Sequence, residues 1–138
     1  MHIKENKPPR TFTVGTGDLK FEMADCAAIR LDNDEQVTFV TDDGAEYDVA
    51  RKDWGFYATP SLNGRLSGFG LRGVLIRNRK TGRYFVLLVQ AGHEAAFEQY
   101  CAQETLAVVA WLDSTEALDR LSRAFGATEA LSPLPATS

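Results

Sequence analysis

Hydrophobic and polar residues alternate with a period of two over several short stretches of this 138-residue chain. The pattern runs through residues 19–23, where Leu, Phe and Met alternate with Lys and Glu, and it returns at 29–31, 37–41 and 47–49. Such alternation places one face of a strand in a core and the other in water. It predicts successive strands of a meandering sheet, with a short connection at residues 24–26.

Two hairpins are predicted along the chain. Asp42-Asp43-Gly44 separates two alternating stretches, and Asp-Gly in that setting is a strong signal for a tight turn. Residues 74–77 and 84–89 flank a second turn rich in polar residues. The stretch Tyr84–Val89 is almost continuously apolar, which is typical of a strand covered on both faces, so we expect it to be central in its sheet.

The C-terminal third changes to a helical period. Ala96, Phe97, Tyr100 and Cys101 recur at spacings of three and four, which predicts a helix that packs on the sheet. Residues 113–116 have the composition of a capping box and predict a last helix that ends at Gly126. Residues 106–111 suit either a strand or a longer helix, and their β-branched content favours a strand.

These elements predict an α+β fold with a mainly antiparallel meandering sheet of about six to seven strands, on which one or two C-terminal helices pack. The pattern does not determine whether this sheet closes into a barrel. Residues 1–10 and 127–138 contain prolines and lack periodicity, so we expect a flexible N-terminal segment and a flexible C-terminal tail. Residues 11–126 are predicted to form a single domain.

Composition and charge narrow the class of protein. A hydrophobic fraction of 44% is that of a globular chain, and no apolar run is long enough to cross a membrane or to serve as a secretory signal, so we expect a soluble, cytoplasmic protein. The net charge of −4 argues against nucleic-acid binding. The charge is uneven, because residues 18–48 carry ten acidic and two basic side chains, whereas residues 51–90 carry eight basic and one acidic.

No motif in the chain identifies an enzyme class or a bound group. Gly68-Phe69-Gly70-Leu71-Arg72-Gly73 matches the dinucleotide-binding pattern in spacing, but a loop precedes it and a β-type stretch follows, where the motif needs a strand and then a helix. The two cysteines and the two histidines have no metal-ligand spacing. We therefore expect no metal and no cofactor, and we assign no catalytic residue.

The remaining candidate site is the stretch 51–72, where glycines and aromatics occur without periodicity and predict one long loop. It offers guanidinium groups for phosphate or carboxylate and flat aromatic faces for stacking. The candidate ligand-binding residues are Arg51, Trp54, Tyr57, Arg65 and Arg72. The competing interpretation is that the aromatics plug one end of the sheet while the arginines pair with the acidic strands.

The sequence favours a binding or accessory domain, which recognises an anionic small molecule or an acidic protein surface through this loop. One alternative is a small enzyme without a cofactor, in which Asp53, Tyr57 and an arginine form an acid–base site under the loop. A second alternative is an interaction subunit that self-associates, because the two parts of the chain carry opposite charge. Both a monomer and a homodimer are compatible with the sequence.

Overall fold

The computed structural model describes residues 1–15 and 20–126, and of Thr59 only the backbone. The order of strands and helices within these residues is β1 His2–Val14, β2 Phe21–Arg30, β3 Gln36–Val40, β4 Glu46–Lys52, β5 Gly55–Thr59, α1 Arg65–Gly68, β6 Leu71–Asn78, β7 Tyr84–Gln90, α2 Glu94–Glu104, β8 Leu106–Trp111 and α3 Thr115–Ala124. The predicted α+β class is confirmed. The predicted tail at 127–138 lies outside the described residues.

The strands form three small sheets, with the orders β1-β2, β3-β4-β5 and β7-β6-β8. The expectation of one meandering sheet of six to seven strands is therefore wrong, and none of the three sheets closes into a barrel. The predicted meander fails because hydrogen bonding does not continue from β2 to β3, although both strands have the expected alternating pattern. Local alternation specifies a strand but does not specify its neighbour.

The chain divides into two compact units. The N-terminal unit comprises Met1–Thr38 and Asp48–Ala58, and the C-terminal unit comprises Phe39–Tyr47 and the chain from Thr59 onward. Strands β3 and β4 contribute residues to both units. A single domain over residues 11–126 stays a prediction.

The N-terminal unit contains a long hairpin where a flexible segment was predicted. Strand β1 includes most of residues 1–10 and pairs antiparallel with β2 from His2↔Arg30 to Val14↔Phe21. The ladder is interrupted between Glu5 and Arg10, and both prolines fall in this gap, because proline cannot donate a ladder hydrogen bond. Strand β2 is also continuous through residues 24–26, where the sequence predicted a connection.

The C-terminal unit holds the hydrophobic clusters. Strand β6 lies between β7 and β8, and α2 packs on one face of this sheet. Val74, Ile76, Val89, Phe97 and Cys101 form the main cluster, and a second cluster contains Ala45, Leu66 and Leu71. The sequence predicted β7 as the central strand, but β6 is central and β7 is an edge.

The stretch 51–72 is not one long loop. It contains the end of β4, the strand β5, the short helix α1 and the start of β6. Helix α1 begins where the Ser61 hydroxyl accepts a hydrogen bond from the Arg65 backbone N–H, and its Leu66 is fully buried. The predicted loop therefore fails because one apolar residue among the glycines and polar residues is enough to anchor a helical turn in the core.

Several local predictions are confirmed. The Asp43-Gly44 turn joins the hydrogen-bonded neighbours β3 and β4, with Gly44 at a φ of 86°. Helix α2 includes the predicted helical residues, and residues 106–111 form a strand. Helix α3 begins at the predicted cap, where the Ser114 hydroxyl accepts a hydrogen bond from the Ala117 backbone N–H. No helix within the described residues combines the length and the apolar composition that crossing a bilayer requires.

Candidate functional site

The five candidate ligand-binding residues are divided between the two units. Arg51, Trp54 and Tyr57 belong to the N-terminal unit, at the end of β4, the following turn and β5. Arg65 and Arg72 belong to the C-terminal unit, in α1 and β6. The residues predicted to form one loop therefore belong to separate surfaces, one in each unit.

In the N-terminal unit, Arg51 lies at the tip of the β4–β5 hairpin, whose turn is formed by Asp53 and Trp54. The Arg51 Nη1 donates a hydrogen bond to the Gly55 carbonyl oxygen at 3.2 Å. Its guanidinium carbon lies 5.8 Å from the centre of the Phe56 ring, a cation–π distance. No carboxylate among the described residues of this unit forms an ion pair with Arg51.

The aromatic side chains beside Arg51 are exposed. Trp54, Phe56 and Tyr57 have relative exposures of 66%, 61% and 49%. Phe56 and Tyr57 are adjacent in β5 and so point to opposite faces of the strand. Because both are exposed, neither face of β5 is covered at this position, and the predicted plug of aromatic side chains is absent here.

A hydrogen-bonded turn of acidic residues supports the β4 end of this hairpin. The Asp34 backbone N–H donates to the Arg51 carbonyl at 2.8 Å, and the Arg51 backbone N–H donates to the Glu35 carbonyl at 2.9 Å. The Lys52 Nζ lies 2.6 Å from Asp34 Oδ1. Hydrogen bonding to Asp34 raises the pKa of Lys52. The acidic turn thus engages Lys52, while it contacts Arg51 only through the backbone.

In the C-terminal unit, Arg65 and Arg72 have different surroundings. The exposed Arg65 stacks on Phe69, with 5.4 Å from its guanidinium carbon to the ring centre. Arg72 Nε lies 2.6 Å from Asp113 Oδ2, its Nη1 lies 3.7 Å from Glu94 Oε1, and its guanidinium carbon lies 4.0 Å above the Trp111 ring. Arg72 therefore connects β6 to Asp113, which follows β8, and to Glu94, the first residue of α2.

The Arg72–Asp113 pair shifts both groups toward their charged forms. Hydrogen bonding to Asp113 raises the pKa of Arg72, and hydrogen bonding to Arg72 lowers the pKa of Asp113. The Trp111 ring that covers Arg72 also packs edge-to-face on Phe97 of the core cluster, with ring centres 5.7 Å apart. These contacts use the hydrogen-bonding and stacking capacity of Arg72 within the protein.

A second polar site, absent from the sequence prediction, lies in the C-terminal unit. A cavity of about 370 Å³ is lined by glycines and by Asp43, Gln90 and His93. Asp43 Oδ2 accepts a hydrogen bond from Gln90 Nε2 at 3.0 Å and lies 3.3 Å from His93 Nε2. A carboxylate that holds an imidazole can orient it for proton transfer. About fifty positions separate Asp43 from Gln90 and His93, so no short sequence motif contains these three residues.

The described residues contain no group of three or more His, Cys, Asp and Glu side chains that could hold a metal ion. Comparisons with models of protein families, with curated proteins and with solved structures found no match to this chain. A fold class by itself does not specify a function, which depends on the geometry of particular residues.

Proposed function

We propose that the chain is a binding or accessory module that recognises an acidic protein surface with the tip of the β4–β5 hairpin. The observation that carries this proposal is the state of Arg51. Its guanidinium is oriented by Phe56 and by the Gly55 carbonyl, and it has no carboxylate partner among the described residues of its unit. An arginine held in this way loses little conformational entropy when it binds a carboxylate.

The exposed aromatics support recognition of a surface over that of a small molecule. Tryptophan, tyrosine and arginine are the residues enriched at the energetic centres of protein interfaces. Small-molecule sites are concave, whereas Trp54, Phe56 and Tyr57 are exposed at the surface of their unit. An anionic small molecule is accordingly the second arm of the test below.

Arg65 and Arg72 have different roles in the proposed function. Arg65 is exposed and stacked, so it offers a second basic contact in the C-terminal unit. Arg72 is occupied by Asp113, Glu94 and Trp111, which favours a structural role. The ligand-binding residues that carry the proposal are therefore Arg51, Trp54 and Tyr57. A cytoplasmic location stays a prediction.

The enzyme alternative has less support. Asp53 lies in the hairpin turn, where its side chain is exposed to water. The Asp43–His93 pair has acid–base groups within hydrogen-bond distance, but both side chains are exposed. Proton-transfer sites in enzymes usually exclude water, which strengthens the electrostatic interactions inside them. The geometry therefore favours binding over catalysis.

The proposal is tested by titrating the full chain with an octaglutamate peptide, followed by tryptophan fluorescence and by calorimetry at low salt. We expect Arg51→Gln to raise the dissociation constant roughly tenfold, because a charge-assisted hydrogen bond contributes about 1.5 kcal/mol. Trp54→Ala, which is measured by calorimetry because it removes the fluorescent reporter, should have a smaller effect, because the peptide offers only methylene groups to the indole ring. Added salt should weaken binding of the wild type. Adenosine monophosphate in place of the peptide tests the small-molecule arm.

The matched control is Arg79→Gln, which removes the same charge from an exposed arginine in the turn between β6 and β7. It should leave the affinity within twofold of the wild type. An equal loss in Arg51→Gln and Arg79→Gln would mean that binding follows net charge alone and would overturn the proposal. Failure of both probes to bind the wild type at millimolar concentration would overturn it as well.

A further inference from the structure

Strand β7 is an exposed apolar edge of the C-terminal sheet. Among the described residues it pairs only with β6. Tyr84, Phe85 and Val86 have relative exposures of 59%, 49% and 60%. The sequence from Tyr84 to Val89 has no charged residue, no proline and no glycine, the features with which proteins usually protect an edge strand against pairing. The edge is therefore competent to accept another strand.

The backbone groups that face this edge follow from the pairing with β6. The Asn78 N–H donates to the Arg83 carbonyl, and the Ala91 N–H donates to the Gly70 carbonyl. In an antiparallel ladder, hydrogen-bonded pairs alternate with non-bonded pairs, so the odd-numbered residues of β7 bond to β6. The even-numbered residues Tyr84, Val86, Leu88 and Gln90 direct their N–H and C=O groups away from β6.

The two ends of β7 carry opposite charge. The turn before it contains Lys80 and Arg83. At its other end, the Gln90 side-chain amide donates a hydrogen bond to the exposed carboxylate of Asp43. When two copies of β7 pair antiparallel about a two-fold axis at Leu87, Tyr84 of each copy lies opposite Gln90 of the other. The basic end of each copy then lies beside the acidic end of its neighbour.

The opposite edge of the same sheet lacks this complementarity. Strand β8 is also apolar, but Glu104 precedes it and Asp113 follows it closely. Because Asp113 is already paired with Arg72, antiparallel pairing of two β8 strands would bring no opposite free charges together. The β8 ladder with β6 also contains a register shift between Leu75 and Ile76, and such irregularities discourage pairing of an edge.

We propose that β7 pairs antiparallel with β7 of a second copy of this chain, forming a homodimer with a continuous six-stranded sheet. The apolar pattern of β7 is that of a central strand, and the dimer makes it one. The contact is the same patch on both copies, so it closes at two chains and does not propagate into a filament. This interface is independent of the hairpin tip proposed above for ligand recognition, since each resides in a different unit.

The test measures the mass of the full chain by light scattering and sedimentation at about 50 μM. We expect a mass about twice the 15.2 kDa of one chain. Val86→Pro removes an N–H that faces the free edge and leaves the bonds to β6 in place, so it should give a monomer. Val86→Lys keeps that N–H and adds a charge at the interface, and it should raise the dissociation constant at least tenfold.

The matched control is Val108→Pro on the opposite edge. Val108 lies opposite Ile76, whose backbone bonds to Phe85 of β7, so the N–H of Val108 also faces away from the sheet. This variant should stay dimeric. A monomeric wild type would overturn the proposal, and so would a dimer that Val108→Pro dissociates but Val86→Pro and Val86→Lys do not. Circular dichroism of each variant confirms that its fold is retained.

Discussion

The β1–β2 hairpin pairs strands of 13 and 10 residues, whereas β6 and β7 have only 8 and 7 residues. None of the side chains in β1 and β2 is buried, whereas β6 contributes Val74 and Ile76 to the core cluster. The β1–β2 ladder thus pairs more positions than the β6–β7 ladder but buries no side chain. Each backbone hydrogen bond replaces one to water and contributes little net stability, whereas each buried aliphatic side chain contributes about 1.5 to 3 kcal/mol.

This difference predicts that the two regions respond unequally to similar changes. A two-stranded hairpin is marginally stable by itself in water, and independent stability needs three or more strands with a hydrophobic face, or packing against a helix. The C-terminal unit has that arrangement, with α2 on β7-β6-β8. The following three changes each alter a matched pair of residues, one in each unit.

The largest difference is expected for two isoleucines. Ile76→Ala should lower the free energy of unfolding of the C-terminal unit by about 2 to 5 kcal/mol, because Ile76 is fully buried. Ile29→Ala in β2 should cost less than about 1 kcal/mol, because Ile29 is exposed. Urea unfolding followed by Trp111 fluorescence in a Trp54→Phe background reports the C-terminal unit, and Trp54 fluorescence in a Trp111→Phe background reports the N-terminal unit. Equal costs for the two variants would contradict the comparison.

A smaller difference is expected for two ion pairs. Arg72→Met should destabilise the C-terminal unit by about 1 to 2 kcal/mol, because it leaves Asp113 without its partner in a half-buried position. Lys52→Met removes the exposed pair with Asp34 in the N-terminal unit, and its midpoint of unfolding should stay within error of the wild type. The same urea titrations measure both, and a larger effect of Lys52→Met would count against the assignment of Arg72 as structural.

The ion pair of Arg72 also predicts a dependence on pH. Because the pKa of Asp113 is lowered in the folded protein, the pair stabilises the fold above the ordinary aspartate pKa of about 3.9. That contribution is lost as the pH falls through the lower pKa of the folded state. The difference in stability between the wild type and Arg72→Met should therefore be constant near neutral pH and shrink below about pH 4.

The smallest difference is expected for two residues with positive φ. Thr105, at the end of α2, has a φ of 56°, and Asp34, in the N-terminal unit, has a φ of 67°. Thr105→Gly should stabilise the C-terminal unit by about 1 kcal/mol, because a β-branched residue is strained in the left-handed region. Asp34→Gly should stabilise the N-terminal unit by less, because aspartate tolerates the left-handed region. The substitution also removes the carboxylate that pairs with Lys52. Thermal unfolding distinguishes these outcomes, and a loss of stability in Thr105→Gly would show that its hydroxyl or methyl group is needed.

Elements with a clear local signal were predictable from the sequence. Alternation identified β3 and β4, the polar turn identified the hairpin of β6 and β7, and β-branched content favoured the strand β8. The helical period identified α2, and the Ser114 cap identified α3. The elements that were missed have weak local signals. β1 has prolines and charged residues and is defined by its pairing with β2, while β5 and α1 interrupt a stretch of glycines.

The sequence could predict which residue types are concentrated in the candidate site, but it could not predict their contacts. The sequence showed that arginines and aromatics are concentrated in residues 51–72, but it could not show that Arg72 is occupied by Asp113 while Arg51 has no ionic partner described in its unit. The Asp43–His93 contact was likewise invisible, because it joins residues 50 positions apart. Such contacts depend on how elements distant in sequence pack together.

The sequence by itself determined the α+β class, the tight turn at Asp43-Gly44 and the types of most elements, because these follow from the periodicity and chemistry of neighbouring residues. Only the tertiary structure decided the order of strands in each sheet, the position of β7 at an edge and the division of the candidate residues between two units. The physical reason is that an apolar strand buries its side chains equally well against any neighbour that covers it. Its local pattern therefore specifies that a partner is needed but not which partner it is.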